Sequence, residues 1–218
     1  MQCLLIAATA AEIAPVTRFF RQNSGAGVIE TVPDILVTGV GMMATAWQLS
    51  KYISVKKPGL MIQAGIAGCF DKTIPLTEVF TVRTEMLADL GVQEKDGWYD
   101  VFDMGFNRPS GFPFSQKELR NPHKLLLKSL KLPQARGITV NTISSGKKQV
   151  QQRFAKYNPL LESMEGAALH YVALQEGIPF IQLRSVSNYA GERNKQNWKI
   201  PAAIDTLNEE LLRILKTI

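Results

Sequence analysis

Three stretches of the chain carry residue types that could work on a polar, charge-bearing bond. Leu161-Glu162-Ser163-Met164-Glu165-Gly166-Ala167-Ala168 opens a helical run through Gln175, so Glu165 falls in or near a first turn, where the helix dipole stabilises a carboxylate. Taken alone, that dipole accounts for an acid there, and Gly166-Ala167-Ala168 lets the helix end approach another backbone closely. Ala7-Ala8-Thr9-Ala10-Ala11-Glu12 places a second acid soon after an apolar strand, where a solvated helix residue is ordinary. Arg184-Ser185-Val186-Ser187-Asn188 ends a third apolar run on an amide, and Asn is a common residue at the close of a strand. A fourth stretch, Gly39-Val40-Gly41-Met42-Met43-Ala44, has the spacing of a dinucleotide turn. It follows the second strand, however, and no acid stands about twenty residues further on to hold a ribose, so a tight strand-to-helix turn fits it better.

The elements that must position these residues alternate. Cys3 to Ala8 reads as a buried strand, after which Thr9 can cap a helix with Ile13, Val16, Phe19 and Phe20 at helical spacing. Ile35 to Thr38 is a second strand, Met42 to Val55 a helix, and Leu60 to Gly65, Val79 to Leu87, Ile138 to Ser144 and Phe180 to Ser187 are further strands before a terminal helix. Strands alternating with helices predict an α/β fold in one domain over 1–218, a central twisted mixed sheet covered by helices. Between Asp103 and Pro122, prolines and glycines interrupt the pattern while Phe106, Phe112 and Phe114 argue against disorder. This stretch is either a surface excursion held down by aromatics or a lid or subunit-contact loop that presents rings to a ligand.

Composition narrows the class. With 218 residues, 45% hydrophobic and 20% charged, the chain has the make-up of a folded globule rather than a disordered or fibrous one. Its +6 charge comes from 25 basic residues scattered among 19 acidic ones, without the dense stripe that phosphate backbones select, so nucleic acid is not an expected partner. Cys3 and Cys69 lie far apart without a CxxC, and His123 and His170 have no partner at ligand spacing, so neither a metal nor a structural disulfide is expected. The apolar start ending in Ala8-Thr9-Ala10 mimics a signal peptide but lacks a basic flank, and no run approaches the roughly 20 apolar residues of a membrane span. A cytoplasmic protein with no membrane partner is the expectation.

Four pieces in order, Gln63-Ala64-Gly65-Ile66-Ala67-Gly68, Ser144-Ser145-Gly146, Ser163-Met164-Glu165-Gly166-Ala167-Ala168 and Arg184-Ser185-Val186-Ser187-Asn188, resemble the purine nucleoside phosphorylase and nucleosidase superfamily over nearly the whole chain. Within it, the segment from Ser187 to Asn194, then Trp198, and the 103–122 insert are similar to the futalosine hydrolases. The resemblance implies a nucleoside phosphorylase type fold, a homodimer or larger homo-oligomer, no cofactor, and hydrolytic release of hypoxanthine from futalosine on a route to menaquinone.

It also implies roles. Glu165 would accept the ribose 2′- and 3′-hydroxyls, with Met164 against the sugar, and Glu12 would orient and deprotonate the attacking water. Asn188 stands where adenine-releasing relatives carry Asp, which suits a 6-oxopurine, because an amide can donate toward O6 and accept from a protonated N7. Gln149 and Val150 would lie by the base, and Phe106, Phe112 and Phe114 could wall the 5′-substituent, with Arg108 or Arg193 meeting its carboxylate. Phosphorylases of this superfamily hold phosphate with a Gly-rich, Arg-bearing turn after strand one, and Ala7 to Glu12 is not such a turn. The rivals left open are a methylthioadenosine/adenosylhomocysteine nucleosidase, a 6-oxopurine nucleoside phosphorylase in which Arg83, Arg184 or Arg193 meets the anion, and a non-catalytic purine-binding module.

Overall fold

A computed structural model describes residues 2–23 and 32–217. Strand β1 (Cys3–Ala7) passes through a one-turn 3-10 helix (Ala10–Ile13) into α1 (Ala14–Asn23), followed by β2 (Asp34–Val37), α2 (Met42–Val55), β3 (Leu60–Cys69) and β4 (Val79–Leu87). A short hairpin, β5 (Gly91–Gln93) and β6 (Trp98–Asp100), and the loop after it lead to β7 (Leu119–Arg120) and α3 (Lys124–Ser129). Then come β8 (Gln134–Thr139), α4 (Gly146–Tyr157), β9 (Leu161–Ser163), α5 (Gly166–Glu176), β10 (Phe180–Tyr189) and α6 (Ile200–Leu215).

The long β3 organises the sheet. Its first half pairs in parallel with β1, which pairs in parallel with β2, and its last residues, Gly68 and Cys69, pair antiparallel with β9. Along its other edge runs β10, parallel over nine residue pairs with a register shift between Val186 and Asn188. Since β10 also pairs with β4, β4 with β8, and β8 with β9, five strands close into a ring from which β1 and β2 extend. The expected mixed sheet is present.

Strand periodicity sends alternate residues to two apolar layers. Leu5, Ala7, Ile62, Ala64, Ile181 and Leu183 pack with α1, α3 and α6, while Leu4, Ile6, Met61 and Phe180 pack with α2 and α5. On this second face the alternation ends in polar residues: Gln63 follows Met61, and Gln182 and Arg184 follow Phe180, all buried. Polar groups therefore collect midway along β3 and β10, level with the carboxyl end of β1, the end at which open parallel sheets bind ligands.

Two stretches fold otherwise than the sequence pattern predicts. Leu161–Ser163 is a strand rather than the opening of a helix, because its backbone is taken by Gly68 and Cys69 on one side and Gly137 to Thr139 on the other. The strand expected over Ile138 to Ser144 begins at Gln134 and stops at Thr139, after which the chain turns into α4.

Candidate active site

A cavity of about 340 Å³ opens at these strand ends and is lined by Glu12, Met164, Glu165 and Asn188 together with Thr9 and Trp198. Glu12 sits in the one-turn helix with its carboxylate fixed on three sides. Its Oε2 accepts the Thr9 N–H at 3.0 Å and the Thr9 hydroxyl at 3.2 Å, and its Oε1 accepts the Ile66 N–H at 3.2 Å. A reciprocal capping box of this kind holds the acid's rotamer as well as the helix end. Asn208 of α6 clamps the segment from behind, donating to the Glu12 carbonyl at 2.8 Å and accepting the Val16 N–H at 3.2 Å.

Glu165 caps α5 and is also held by distant groups. Its Oε1 accepts the Gly41 N–H at 3.1 Å and its Oε2 lies 3.6 Å from Arg184 Nη2. The glycine pair after β2 thus serves the acid. Gly39 and Gly41 have φ of 84° and 99°, a backbone that side chains rarely adopt, and the turn they make aims a backbone N–H at Glu165. Arg184, only 1% exposed, also donates to Gln63 Oε1 at 2.8 Å. A Cβ built at Gly65 would fall 2.2 Å from Arg184 Nη1 and 2.9 Å from Glu12 Oε1, so the guanidinium and the Glu12 carboxylate crowd one point of β3 that only glycine leaves open.

In sequence Arg184 offers itself only as an anion contact, whereas in the fold it is buried beside Glu165. The signal available was an arginine inside a buried strand, which needs a countercharge. Gly166 faces Glu85 and Gln182 side chains rather than another backbone, and a Cβ there would lie 2.1 Å from Glu85 Oε1. Gly166→Ala is accordingly expected to lower the unfolding free energy by about 1–3 kcal/mol or more, checked by urea denaturation.

Asn188 is half-buried in the cavity wall with both ends of its amide engaged. Its Oδ1 accepts the Ser187 hydroxyl at 2.8 Å and its Nδ2 donates to the Tyr189 carbonyl at 3.1 Å. One lone pair and one N–H remain for a ligand.

Other sequence candidates lie elsewhere. Gln149 accepts the Ser145 N–H at 2.7 Å and lines a separate cavity of about 370 Å³ with Trp98, Arg153 and Tyr157. A buried Arg153–Glu162 pair, 2.8 Å apart, runs between the two cavities. Val150 packs on Gly191, a cavity residue, without itself lining the wall. Phe106 and Phe112 are exposed and Phe114 packs on Phe102 and Tyr171, so within one chain none of the three walls the cavity. Arg193 does reach it and stacks over Trp198 with 5.6 Å to the ring centroid, whereas Arg108 does not line it.

A ring-closed mixed sheet whose strand ends bring two acids and an amide to one cavity, with the Arg184 guanidinium buried beside Glu165, defines an α/β fold of nucleoside phosphorylase type. The chain belongs to the phosphorylase superfamily, whose family model matches residues 7–218. It is 28% identical over 190 residues to the futalosine hydrolase of Thermus thermophilus, covering 83% of this chain and 80% of that protein. In structure it is similar to the native futalosine hydrolase of Helicobacter pylori, with a TM-score of 0.79 at 17% identity, covering 100% of this chain and 98% of that one. It is equally similar to a 5′-methylthioadenosine/S-adenosylhomocysteine nucleosidase from Colwellia psychrerythraea in complex with adenine, with a TM-score of 0.79 at 19% identity, covering 99% and 95%.

Proposed function

We propose that the chain is an N-ribosyl hydrolase that releases hypoxanthine from futalosine, acting as one domain over residues 1–218. The observation that carries this reading is the meeting of Glu12, Glu165 and Asn188 around a single cavity. Cleavage of an N-ribosidic bond builds positive charge on the sugar and negative charge on the departing purine. Glu165 accepts the ribose diol and opposes the sugar's charge, with Met164 against the ring. Glu12 takes a proton from a water as the water oxygen bonds to C1′. The C1′–N9 electron pair leaves with the purine, which is protonated at N7 from solvent, because an amide cannot serve as the acid. Asn188 then offers its free lone pair to N7–H and its free N–H to O6.

The futalosine hydrolase relatives support this substrate, and the nucleosidase likeness supports a second reading as a methylthioadenosine nucleosidase. Incubating the protein with futalosine, inosine and methylthioadenosine, with and without phosphate, and identifying the bases released separates them. Hypoxanthine without phosphate supports the proposal, adenine supports the second reading, and phosphate-dependent cleavage makes the protein a phosphorylase. Asn188→Asp is expected to shift the ratio of adenine to hypoxanthine release by about tenfold or more, since the new group matches a 6-amino edge and mismatches a 6-oxo one.

A homo-oligomer fits Met43 and Trp47, which α2 leaves 87% and 66% exposed, and the exposed Phe106 and Phe112 of the 103–122 loop. Light scattering would then return at least twice the chain mass. No helix among the described residues is long and apolar enough to cross a membrane.

A further inference from the structure

Beneath the first turn of α5 lies an acid that the mechanism above does not use. Glu85 of β4 is 1% exposed, and two glycines make room for it: a Cβ at Gly166 would stand 2.1 Å, and one at Gly137 2.7 Å, from its Oε1. Thr139 donates to Glu85 Oε2 at 2.8 Å while accepting the Ala167 N–H at 2.8 Å. On the other side, the Gln182 amide is 2.7 Å from Glu85 Oε1 and also faces the fully buried ring of His170, whose Nδ1 lies 3.0 Å from the Leu119 carbonyl of β7.

The direction of each hydrogen bond in this row is constrained. A carbonyl only accepts, so His170 carries its proton on Nδ1 and, as a neutral ring, presents a lone pair at Nε2. With the Gln182 nitrogen toward Glu85, the Gln182 oxygen is turned to that lone pair, and Gln182 Oε1 and His170 Nε2 are two buried polar atoms without a partner. Unpaired polar atoms in an interior are costly. The two ends of an amide are assigned by the network around them, and turning Gln182 gives His170 a donor and sets an acceptor before Glu85 Oε1. Only a hydrogen on Glu85 can fill that last contact.

We infer that Glu85 is a neutral, protonated carboxylic acid at the centre of one continuous row of hydrogen bonds, Ala167 N–H to Thr139, Thr139 to Glu85, Glu85 to Gln182, Gln182 to His170, and His170 to the Leu119 carbonyl. The charged groups facing Glu85 are Glu165 and Arg184. Ionised, Glu85 would put another negative charge behind Glu165, whose guanidinium neighbour also serves Gln63. Burial drives the Glu85 pKa up to about 7 and the His170 pKa down to about 4, in line with two neutral groups. Moving the proton to His170 instead would create two charges in the interior. Through Thr139 and Ala167, Glu85 is a positioning residue for the helix end that Glu165 caps, whichever nucleoside the cavity takes.

Glu85→Gln tests this, because an amide repeats the acid's one donor and one acceptor yet has no proton to lose. The native wild type keeps a proton that the unfolded chain releases between the ordinary Glu range and about pH 7, so its stability falls with rising pH across that window. Urea unfolding of the full chain from about pH 5 to about pH 8 should therefore show the wild-type midpoint dropping relative to Glu85→Gln. A gap that stays constant, or that opens the other way, overturns the inference. Should Glu85→Gln fail to fold, nitrogen-15 NMR of the wild type decides. A neutral His170 protonated at Nδ1, with Nε2 as a hydrogen-bonded acceptor at neutral pH, supports the row; an imidazolium or an Nε2-protonated ring refutes it.

Discussion

Glu12→Gln is expected to lower the rate of base release by about 10²- to 10⁴-fold, the usual contribution of a positioned general base, while hypoxanthine still binds. The carboxylate is held by Thr9 and Ile66, so its position is set before any ligand arrives. An amide of the same shape keeps some of those contacts, but it can neither accept all the present hydrogen bonds nor take a proton from water. Single-turnover release of base, with calorimetric titration of hypoxanthine and a thermal melt as controls, separates lost chemistry from lost structure. Turnover at the wild-type rate would remove Glu12 from the mechanism, and a wild type that binds purine without releasing one would favour a binding module.

How much of this site could be read in the sequence varies from residue to residue. Strand-to-helix alternation placed β1, β2, α2, β3, β4 and β10 within a few residues, because each strand carries a short apolar run and the helix a longer one. Glu165 and Glu12 had ordinary local explanations and acquired a joint role only through a resemblance. Their meeting depends on contacts that no local window contains, Glu12 and Arg184 against Gly65 and Arg184 against Glu165. The same limit hid β9, whose three residues become a strand through partners on both sides, and it hid Glu85. Nothing about Glu85 in sequence distinguishes it from a solvated acid, and only Gly137 and Gly166, brought together by folding, show that space was left for it. The 103–122 loop escaped for another reason. Its aromatics fit either a surface excursion or a wall for the ligand, and in one chain two of them face solvent while the third packs on Phe102 and Tyr171, so any part they play at the cavity needs a second copy.

Arg184→Met, beside the cavity acid Glu165, is expected to cost about 3–5 kcal/mol of stability, because it removes one side of a buried pair and leaves the other charged. Arg184 is 2% exposed at its side chain and Glu165 7%, so solvent has little access to replace the lost guanidinium. Gln63 Oε1 would lose its donor as well. Arg184→Lys restores the charge but not the fork, since one ammonium cannot take over the guanidinium's planar contacts to both Gln63 and Glu165. Lys should therefore recover part of the stability and little of the base release. The double variant Arg184→Met with Glu165→Gln should be less destabilised than the two single losses summed, as expected when an uncompensated charge is the main cost of the first. Urea denaturation of all four proteins measures that coupling. Strict additivity would mean that Arg184 and Glu165 are neighbours without being partners, and that Arg184 is not the countercharge that lets Glu165 stay buried beside the cavity.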